Sequence, residues 1–236
     1  MRLQRANLDA TWILTLGGKR LLIDPWLVGS EVDGHPLFSE QWHVHACMTP
    51  ADIGPIDAIV LTQPFDDHCH RATLERLPEV PILAVPAAYD RVRSWGIAAE
   101  RCVRIADTTW GALQLHPLRP SALDPTHGAL RLEGADGSVL IAPHGLRAST
   151  PVEPVDVLLV THTTYALPFF LGGTVNLGLA AAQDLAKRTG ARRVIDTHSE
   201  PKRARGLVAA LARPTYPPAP PTVERWTDLE ERSVDL

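Results

Sequence analysis

The segment DAIVLTQPFDDHCH, residues 57–70, decides the fold, because an apolar run in it gives way to a cluster of polar side chains. Residues 57–61 have the composition of a buried β-strand, and the apolar residues of 71–77 recur at helical spacing. The polar cluster therefore lies on a loop that connects a strand to a helix. Its Asp67, His68 and His70 carry oxygen and nitrogen atoms of the kind that metal ions bind.

The composition of the 236 residues is typical of a globular protein with one large core. Hydrophobic residues make up 45% of the chain and charged residues 21%, and the formal net charge is −4. This charge provides no basic surface for phosphate backbones, so we expect no nucleic-acid partner. No stretch is long and apolar enough to span a bilayer, and the first residues lack the apolar region of a signal peptide. We therefore expect a cytoplasmic protein without a membrane span.

Turn residues and apolar runs predict the order of elements in the first half of the chain. A β-hairpin covers 10–25 and turns at Gly17-Gly18. The irregular stretch 27–55 is too long for a simple connection, which favours a binding loop or lid. After the polar loop, strands and helices alternate. The predicted elements are helix 71–77, strand 82–85, helix 88–95 and strand 102–105.

The second half repeats this plan, and a Pro-rich segment follows it. Its predicted elements are strands 113–118, 128–132, 138–142 and 156–160, helix 179–187 capped by Gly190, and strand 193–196. Two similar halves predict an α/β fold in which two mixed sheets pack face to face with helices outside, a four-layer αββα sandwich. We expect one domain at 1–213 and an extended Pro-rich tail at 214–236.

Five segments carry a resemblance to a known family. They are GGKRLLIDPWL, DAIVLTQPFDDHCH, GSVLIAPHG, DVLLVTH and RRVIDTHSE. Together they resemble the metallo-β-lactamase fold superfamily, in particular its ascorbate-lactonase-like branch, from about Leu8 to about Leu211. The resemblance implies the metallo-β-lactamase fold, an αββα sandwich, and a metal-dependent hydrolase site along the edge where the strands end.

The histidine signature of that family, HxHxDH, is incomplete here. It falls on 63–68, where Gln63 and Phe65 replace the first two histidines while Asp67 and His68 remain. The next family histidine corresponds to Ser121 or a neighbour. The resemblance therefore implies that the first of the family's two metal positions has lost its imidazole ligands.

The second metal position keeps a set of donors. Asp67, His68 and His198 match the family's ligands, and His144 stands where a carboxylate would bridge the two metals. Oxygen and nitrogen donors of this kind suit zinc, manganese or iron. The resemblance thus implies a site for at most one divalent ion.

An ion at that position would define the chemistry. It would lower the pKa of a bound water and polarise a carbonyl or phosphoryl oxygen, with Gln63 or His70 orienting the water or the substrate. Asp9 and Asp24 could accept hydrogen bonds from ligand imidazoles, and for Asp24 a role as a turn carboxylate ahead of Pro25 is an equally open interpretation. The predicted reaction is hydrolysis of a small-molecule ester, lactone, amide or phosphoester.

Other interpretations of the same residues remain open. Asp67 and His68 could hydrogen-bond the loop or cap the helix at Arg71, and the chain would then be a metal-free binding or scaffold protein. Cys69 could act as a thiolate. We expect His162 and the His43-Val44-His45 pair to be structural. The apolar loop 164–173 is expected to pack on Trp26 or Trp42, with a secondary role as a pocket wall that favours an apolar substrate.

Overall fold

The computed structural model describes residues 1–118 and 127–235. Strands β1 to β9 are Arg2–Arg5, Trp12–Leu16, Lys19–Ile23, Glu31–Val32, Glu40–Trp42, Ala58–Leu61, Ile82–Ala84, Cys102–Arg104 and Thr108–Trp110. Strands β10 to β19 are Leu113–Leu118, Ala129–Gly134, Gly137–Ala142, Val157–Val160, Thr164–Ala166, Thr174–Leu177, Arg193–Asp196, Arg203–Arg205, Arg213–Thr215 and Arg232–Ser233. Helices α1 to α4 are Arg71–Leu74, Pro86–Ser94, Gly178–Thr189 and Leu207–Leu211.

Two large sheets form the body of the molecule. The first has the strand order β19-β1-β2-β3-β6-β7-β8, and the second has the order β16-β13-β12-β11-β10-β9. In the first sheet β3, β6, β7 and β8 run parallel, and in the second β12, β13 and β16 do so. The remaining pairs of each sheet are antiparallel. The prediction of two mixed sheets is confirmed.

Alternation along the second sheet explains how the layers pack. Val139, Ile141, Val157 and Leu159 join the large core shared with the first sheet. Their sequence neighbours point to the opposite face, because successive strand residues face opposite sides. These neighbours are Leu140, Ala142, Leu158 and Val160, which pack with Ala182 and Leu185 of α3. On the other side α2 packs against β7 and β8, which completes the predicted αββα layers.

Local sequence signals locate several element ends. Gly17 and Gly18 have φ of 56° and 72°, as the predicted tight hairpin requires, and α3 ends at Gly190 with φ 60°. Helix α2 begins at Pro86, two residues before the predicted start, because proline fits the first helical turn. The predicted helix 71–77 is a single turn, since Pro78 prevents its continuation.

Residues 214–235, expected as a tail, run back over the body of the domain. β18 pairs with β14 and β19 pairs with β1. Trp226 is 3% exposed, and its ring centre lies 5.5 Å from that of Trp12. Proline keeps most of this segment out of helices, but it does not prevent extended backbone from pairing at sheet edges.

The two irregular stretches form small sheets of their own. In 27–55, β4 and β5 combine with β17, and in 164–178, β14 and β15 combine with β18. Across the described parts of the chain, the longest helix is α3 with 12 residues, and none is long and apolar enough to cross a membrane.

Candidate metal centre

Polar side chains gather at one edge of the sandwich, where strands of both sheets end. Asp24 follows β3, Asp67 and His68 follow β6, and His144 and His198 follow β12 and β16. The carboxyl ends of parallel strands share an edge, so these loops meet. Asp9 reaches the same edge from the start of β2, because β2 runs antiparallel to β3.

Three imidazole rings converge at this edge. The ring centres of His68 and His198 are 5.1 Å apart, those of His68 and His144 5.5 Å, and those of His144 and His198 4.7 Å. One nitrogen from each ring lies within 4.8 Å of the other two. An Asp67 oxygen lies 3.7 Å from Nε2 of His68 and the other 3.6 Å from Nε2 of His198. Ligands of a tetrahedral ion with bonds of about 2.0–2.1 Å are roughly 3.3–3.4 Å apart, so small shifts would suffice.

The opposite nitrogen, Nδ1, of each ring has a fixed polar neighbour. The neighbours are Asp24 at 2.9 Å from His68, Asn176 Oδ1 at 2.5 Å from His144, and Asp9 at 3.0 Å from His198. Such partners fix the orientation and tautomer of metal-binding imidazoles. Asp24 contacts the His68 imidazole as expected, whereas Asp9 lies at ion-pair distance from His198 and the two make no hydrogen bond of standard geometry. Within the described residues, Nε2 of His68 and of His144 are buried without a hydrogen-bond partner, an arrangement that suits a bound cation.

The backbone at this edge is unusual at two positions. His198 has φ of 52° and Asp24 has φ of 45°, and Asp107 is the one further non-glycine residue with positive φ in the described ranges. Such conformations cost free energy and tend to occur at functional sites. Asp24 is held there by Thr62, whose N–H and hydroxyl donate to its two carboxylate oxygens at 2.7 and 2.5 Å.

The protonation states of two rings differ. Burial alone would lower the pKa of His68, but Asp67 and Asp24 outweigh this effect and raise the pKa to about 9. Burial, together with the neighbouring histidines, lowers the pKa of His144 well below its ordinary value. At neutral pH and without an ion, His68 therefore carries a proton, whereas His144 is neutral and has a lone pair on Nε2.

Lys202 places a positive charge beside this cluster. Its Nζ lies 2.9 Å from an Asp9 oxygen and 3.6 Å from an Asp67 oxygen. Burial would lower the pKa of Lys202, but these carboxylates raise it above its ordinary value, so the side chain is charged. Sequence analysis missed Lys202 and Asn176. The available signal for Lys202 was its position four residues after His198.

A cavity of about 1280 Å³ opens onto this cluster. Asp67, His144, His198 and Lys202 form part of its polar wall. Exposed apolar side chains such as Phe38 and Phe169 line its mouth, and Val208 of α4 and the charged Asp33 and Arg147 line the cavity as well. The cavity is large enough to bring a small-molecule substrate to the imidazoles.

Comparisons with known proteins agree on the architecture. Residues 8–115 match the family model of a beta-lactamase superfamily domain. A possible metal-dependent hydrolase from Veillonella parvula superposes with a TM-score of 0.67 at 15% identity, covering 99% of both chains. An isothiocyanate hydrolase from Delia radicum gut bacteria gives 0.61 at 19% identity, covering 84% of both. The chain has the metallo-β-lactamase fold.

One curated relative is similar in sequence to this metallo-β-lactamase-fold chain. It is a UPF0173 metal-dependent hydrolase from Herpetosiphon aurantiacus, 26% identical over 148 residues. The match covers 59% of this chain and 56% of the relative, so the chain spans little more than half the length of that protein. The two superpositions, at 15% and 19% identity, establish the fold alone.

Gln63 and Phe65, where the sequence resemblance led us to look for histidines, have other contacts. Phe65 stacks on His127 with ring centres 4.6 Å apart, and His127 in turn contacts His144 at 4.9 Å. Gln63 donates to the carbonyl of Gly128 at 3.1 Å, and its Oε1 is buried without a partner in the described ranges. The position expected for the next histidine, Ser121, lies outside the described residues.

His70 does not join the cluster. Its Nδ1 lies 2.9 Å from Thr73 Oγ1 and its Nε2 lies 3.1 Å from the carbonyl of Ser30. Both ring nitrogens therefore have other partners, and the orienting role expected for His70 has no support in the geometry. The alternative role of Asp67 as a helix cap is also not observed, because His70 occupies the N-cap position and makes no side-chain cap.

The remaining candidate residues have structural contacts. Cys69 is fully buried, and burial raises the pKa of its thiol to about 12, so the structure gives the thiolate hypothesis no support. His43 contacts Glu200 at 2.6 Å, and His162 contacts Asp196 at 2.5 Å, which agrees with the structural roles expected for them. Phe169 of the loop 164–173 is 94% exposed, so the prediction that this loop packs as core is wrong there.

Proposed function

We propose that this chain is a metal-dependent hydrolase whose single divalent ion is held by Asp67, His68, His144 and His198. One observation carries the proposal. Nε2 of His68 and Nε2 of His144 are buried and have no described hydrogen-bond partner. Leaving two imidazole nitrogens unpaired in a protein interior is costly unless a cation occupies the space between them.

The donor set limits the identity of the ion. Three imidazoles and one carboxylate suit zinc, manganese or iron. Manganese and iron take more than four ligands, so they would leave positions for water and substrate beside all four side chains. Zinc in a four-coordinate site would leave such a position only if one side chain stayed unbound.

The residues around the ion would have different roles in hydrolysis. A bound divalent ion supplies an acidified water and polarises a carbonyl or phosphoryl oxygen. Lys202 lines the cavity beside Asp67, where its ammonium group would stabilise negative charge that develops on the substrate. Gln63 Oε1 is buried without a described partner, but Gln63 is not among the residues that line the cavity, so its proposed role in orienting a water needs a shift of its side chain. The proposed substrates are small-molecule esters, lactones, amides or phosphoesters.

A metal-free binding protein is the alternative function. The packing of Phe65 against His127 favours it, because an aromatic ring stands where the family's second histidine would bind metal. Lys202 also compensates the charge of Asp9 and Asp67 without an ion. In this alternative the cavity binds a small molecule without catalysing a reaction. Three earlier predictions hold under both functions and stay predictions: a cytoplasmic location, no nucleic-acid partner, and membership of the ascorbate-lactonase-like branch.

Elemental analysis separates the two functions. Untagged protein is stripped with chelator, loaded with zinc, manganese or iron(II), and desalted. We expect about one ion per chain, and we expect His68→Ala and His198→Ala to lose it. His116→Ala is the matched control, because His116 lies on β10 away from the cluster and contacts Asp107. Absence of ion under every loading would favour the binding protein, whereas one ion per chain justifies a screen of lactones, esters and phosphodiesters.

A further inference from the structure

Two of the segments that line the cavity carry no charged residue. Residues 157–183 contain no Asp, Glu, Lys or Arg, and neither does α4 at Leu207–Leu211. Residues 157–163 of this run are buried, but most of 164–177 are not, and a stretch of that length normally carries about three charges because about a quarter of residues in globular proteins are charged. The uncharged stretch 164–177 and α4 both contribute residues to the cavity lining.

These segments expose large apolar side chains. Phe169 is 94% exposed and Phe170 is 77% exposed, both in the 3-10 turn that follows β14. Phe169 and Leu171 line the cavity, and Val208 of α4 and Phe38 line it from the other side of the mouth. Exposed apolar surface around a concave opening is typical of a ligand-binding site.

Polarity changes along the cavity from its mouth to its inner wall. Phe38 and Phe169 are 40% and 94% exposed, while His198 is 8% exposed and the Lys202 side chain 10%. Asp33 and Arg147 are charged residues that also line the cavity. A ligand that matches both ends has a polar, hydrolysable group attached to an extended apolar part. The volume of about 1280 Å³ exceeds the roughly 300–1000 Å³ of sites for drug-sized ligands, so it accommodates a long tail.

We propose that the site takes amphipathic substrates, in which an aliphatic tail of about six or more carbons lies against the apolar mouth while the hydrolysable group reaches the imidazoles. This inference rests on the proposed function for its reacting group. Binding of the tail is independent of the ion, because the mouth residues are separate from Asp67, His68, His144 and His198.

The test uses metal-free protein, a fluorescent reporter dye and uncharged competitors. The fluorescent dye 1-anilinonaphthalene-8-sulfonate is bound to chelator-treated protein and displaced by 1-alkanols from hexanol to decanol. We expect affinity to rise about fourfold for each added methylene, as burial of aliphatic surface predicts. Phe169→Ser and Leu171→Ser should each weaken decanol binding several-fold and flatten this dependence. Val44→Ser is the matched control, because Val44 is 52% exposed and does not line the cavity.

Two outcomes would overturn the inference. Affinity that does not depend on chain length would exclude a tail site. Wild-type protein that sediments as a dimer, with Phe169→Ser sedimenting as a monomer, would show that a second copy covers the mouth. Metal analysis of the same preparations keeps the two proposals separate: chain-length dependence without metal uptake removes the hydrolase but keeps the tail site, and the reverse result removes the tail site alone.

Discussion

Asp24→Asn should weaken metal binding without unfolding the protein, because it changes which nitrogen of His68 carries the proton. In the wild type, His68 Nδ1 and the Thr62 hydroxyl donate to one Asp24 oxygen, and the Thr62 N–H donates to the other. Asparagine has a single oxygen, and the Thr62 N–H can only donate, so that oxygen must face it.

The amide nitrogen of the new side chain then faces His68 Nδ1 and donates to it. A neutral His68 ring responds by moving its proton from Nδ1 to Nε2, and a protonated Nε2 cannot bind a metal ion. Loss of such a supporting carboxylate typically costs about 10–100-fold in metal affinity, or about 1.4–2.7 kcal/mol. We expect a decrease in zinc affinity of that size at pH 7.

Competition with a chromophoric chelator measures this affinity. Asp156→Asn is the matched control, since Asp156 accepts two hydrogen bonds from Ser138 at 2.9 Å, near the opposite ends of the strands. Its zinc affinity should equal that of the wild type. Urea unfolding of both variants checks that they are folded. If Asp24→Asn binds one zinc ion with an affinity within twofold of the wild type, the reasoning about the His68 tautomer is refuted.

Three further predictions concern stability. Trp226→Ala should lower the free energy of unfolding by about 3–5 kcal/mol in urea, because a buried aromatic side chain is removed. Lys202→Met should destabilise metal-free protein by about 3–5 kcal/mol, because Asp9 loses its buried cation, while exposed Lys187→Met changes stability by less than about 0.5 kcal/mol. Metal-free protein should lose stability as pH rises through 9. The pKa of His68 is raised from 6.5 to about 9, so its contribution of roughly 3 kcal/mol is complete below pH 6.5 and is lost above pH 9.

Each of these predictions has a result that contradicts it. A Trp226→Ala variant as stable as the wild type would mean that residues 214–235 do not stabilise the domain. Equal stability of the Lys202→Met and Lys187→Met variants would mean that Asp9 needs no cation. A pH dependence that persists in His68→Gln between pH 6.5 and 9 would assign the effect to another group.

The sequence predicted the sandwich but not the parts that surround its site. The strands of the two large sheets are visible because their apolar residues alternate or run continuously and strong turn residues separate them, as at Gly17-Gly18. Strands such as β4 and β19 have two residues each, too few for any periodicity. They exist because another segment offers free backbone groups, which local sequence does not reveal.

Position relative to the predicted strands also decides which site residues could be predicted from the sequence. His68, His144 and His198 each follow a predicted strand, so a fold that aligns strand ends also brings these residues together. His70 is only two residues from His68, yet the one-turn helix α1 orients it toward Thr73 and Ser30. Proximity in sequence to a site residue is therefore a weaker signal than position at the end of a strand.

Lys202 compensates acidic charge at the candidate metal centre. Asp9 is buried and Asp67 is largely shielded from solvent, so their negative charges need a positive partner nearby. Lys202 contacts both carboxylates and supplies one positive charge permanently. A single ion bound by the histidines would then be the second positive centre beside Lys202, with Asp67 between the two. Under the proposed function, Gln63 and Phe65 in place of histidines are therefore compatible with catalysis, because Lys202 supplies positive charge that a second ion would otherwise provide.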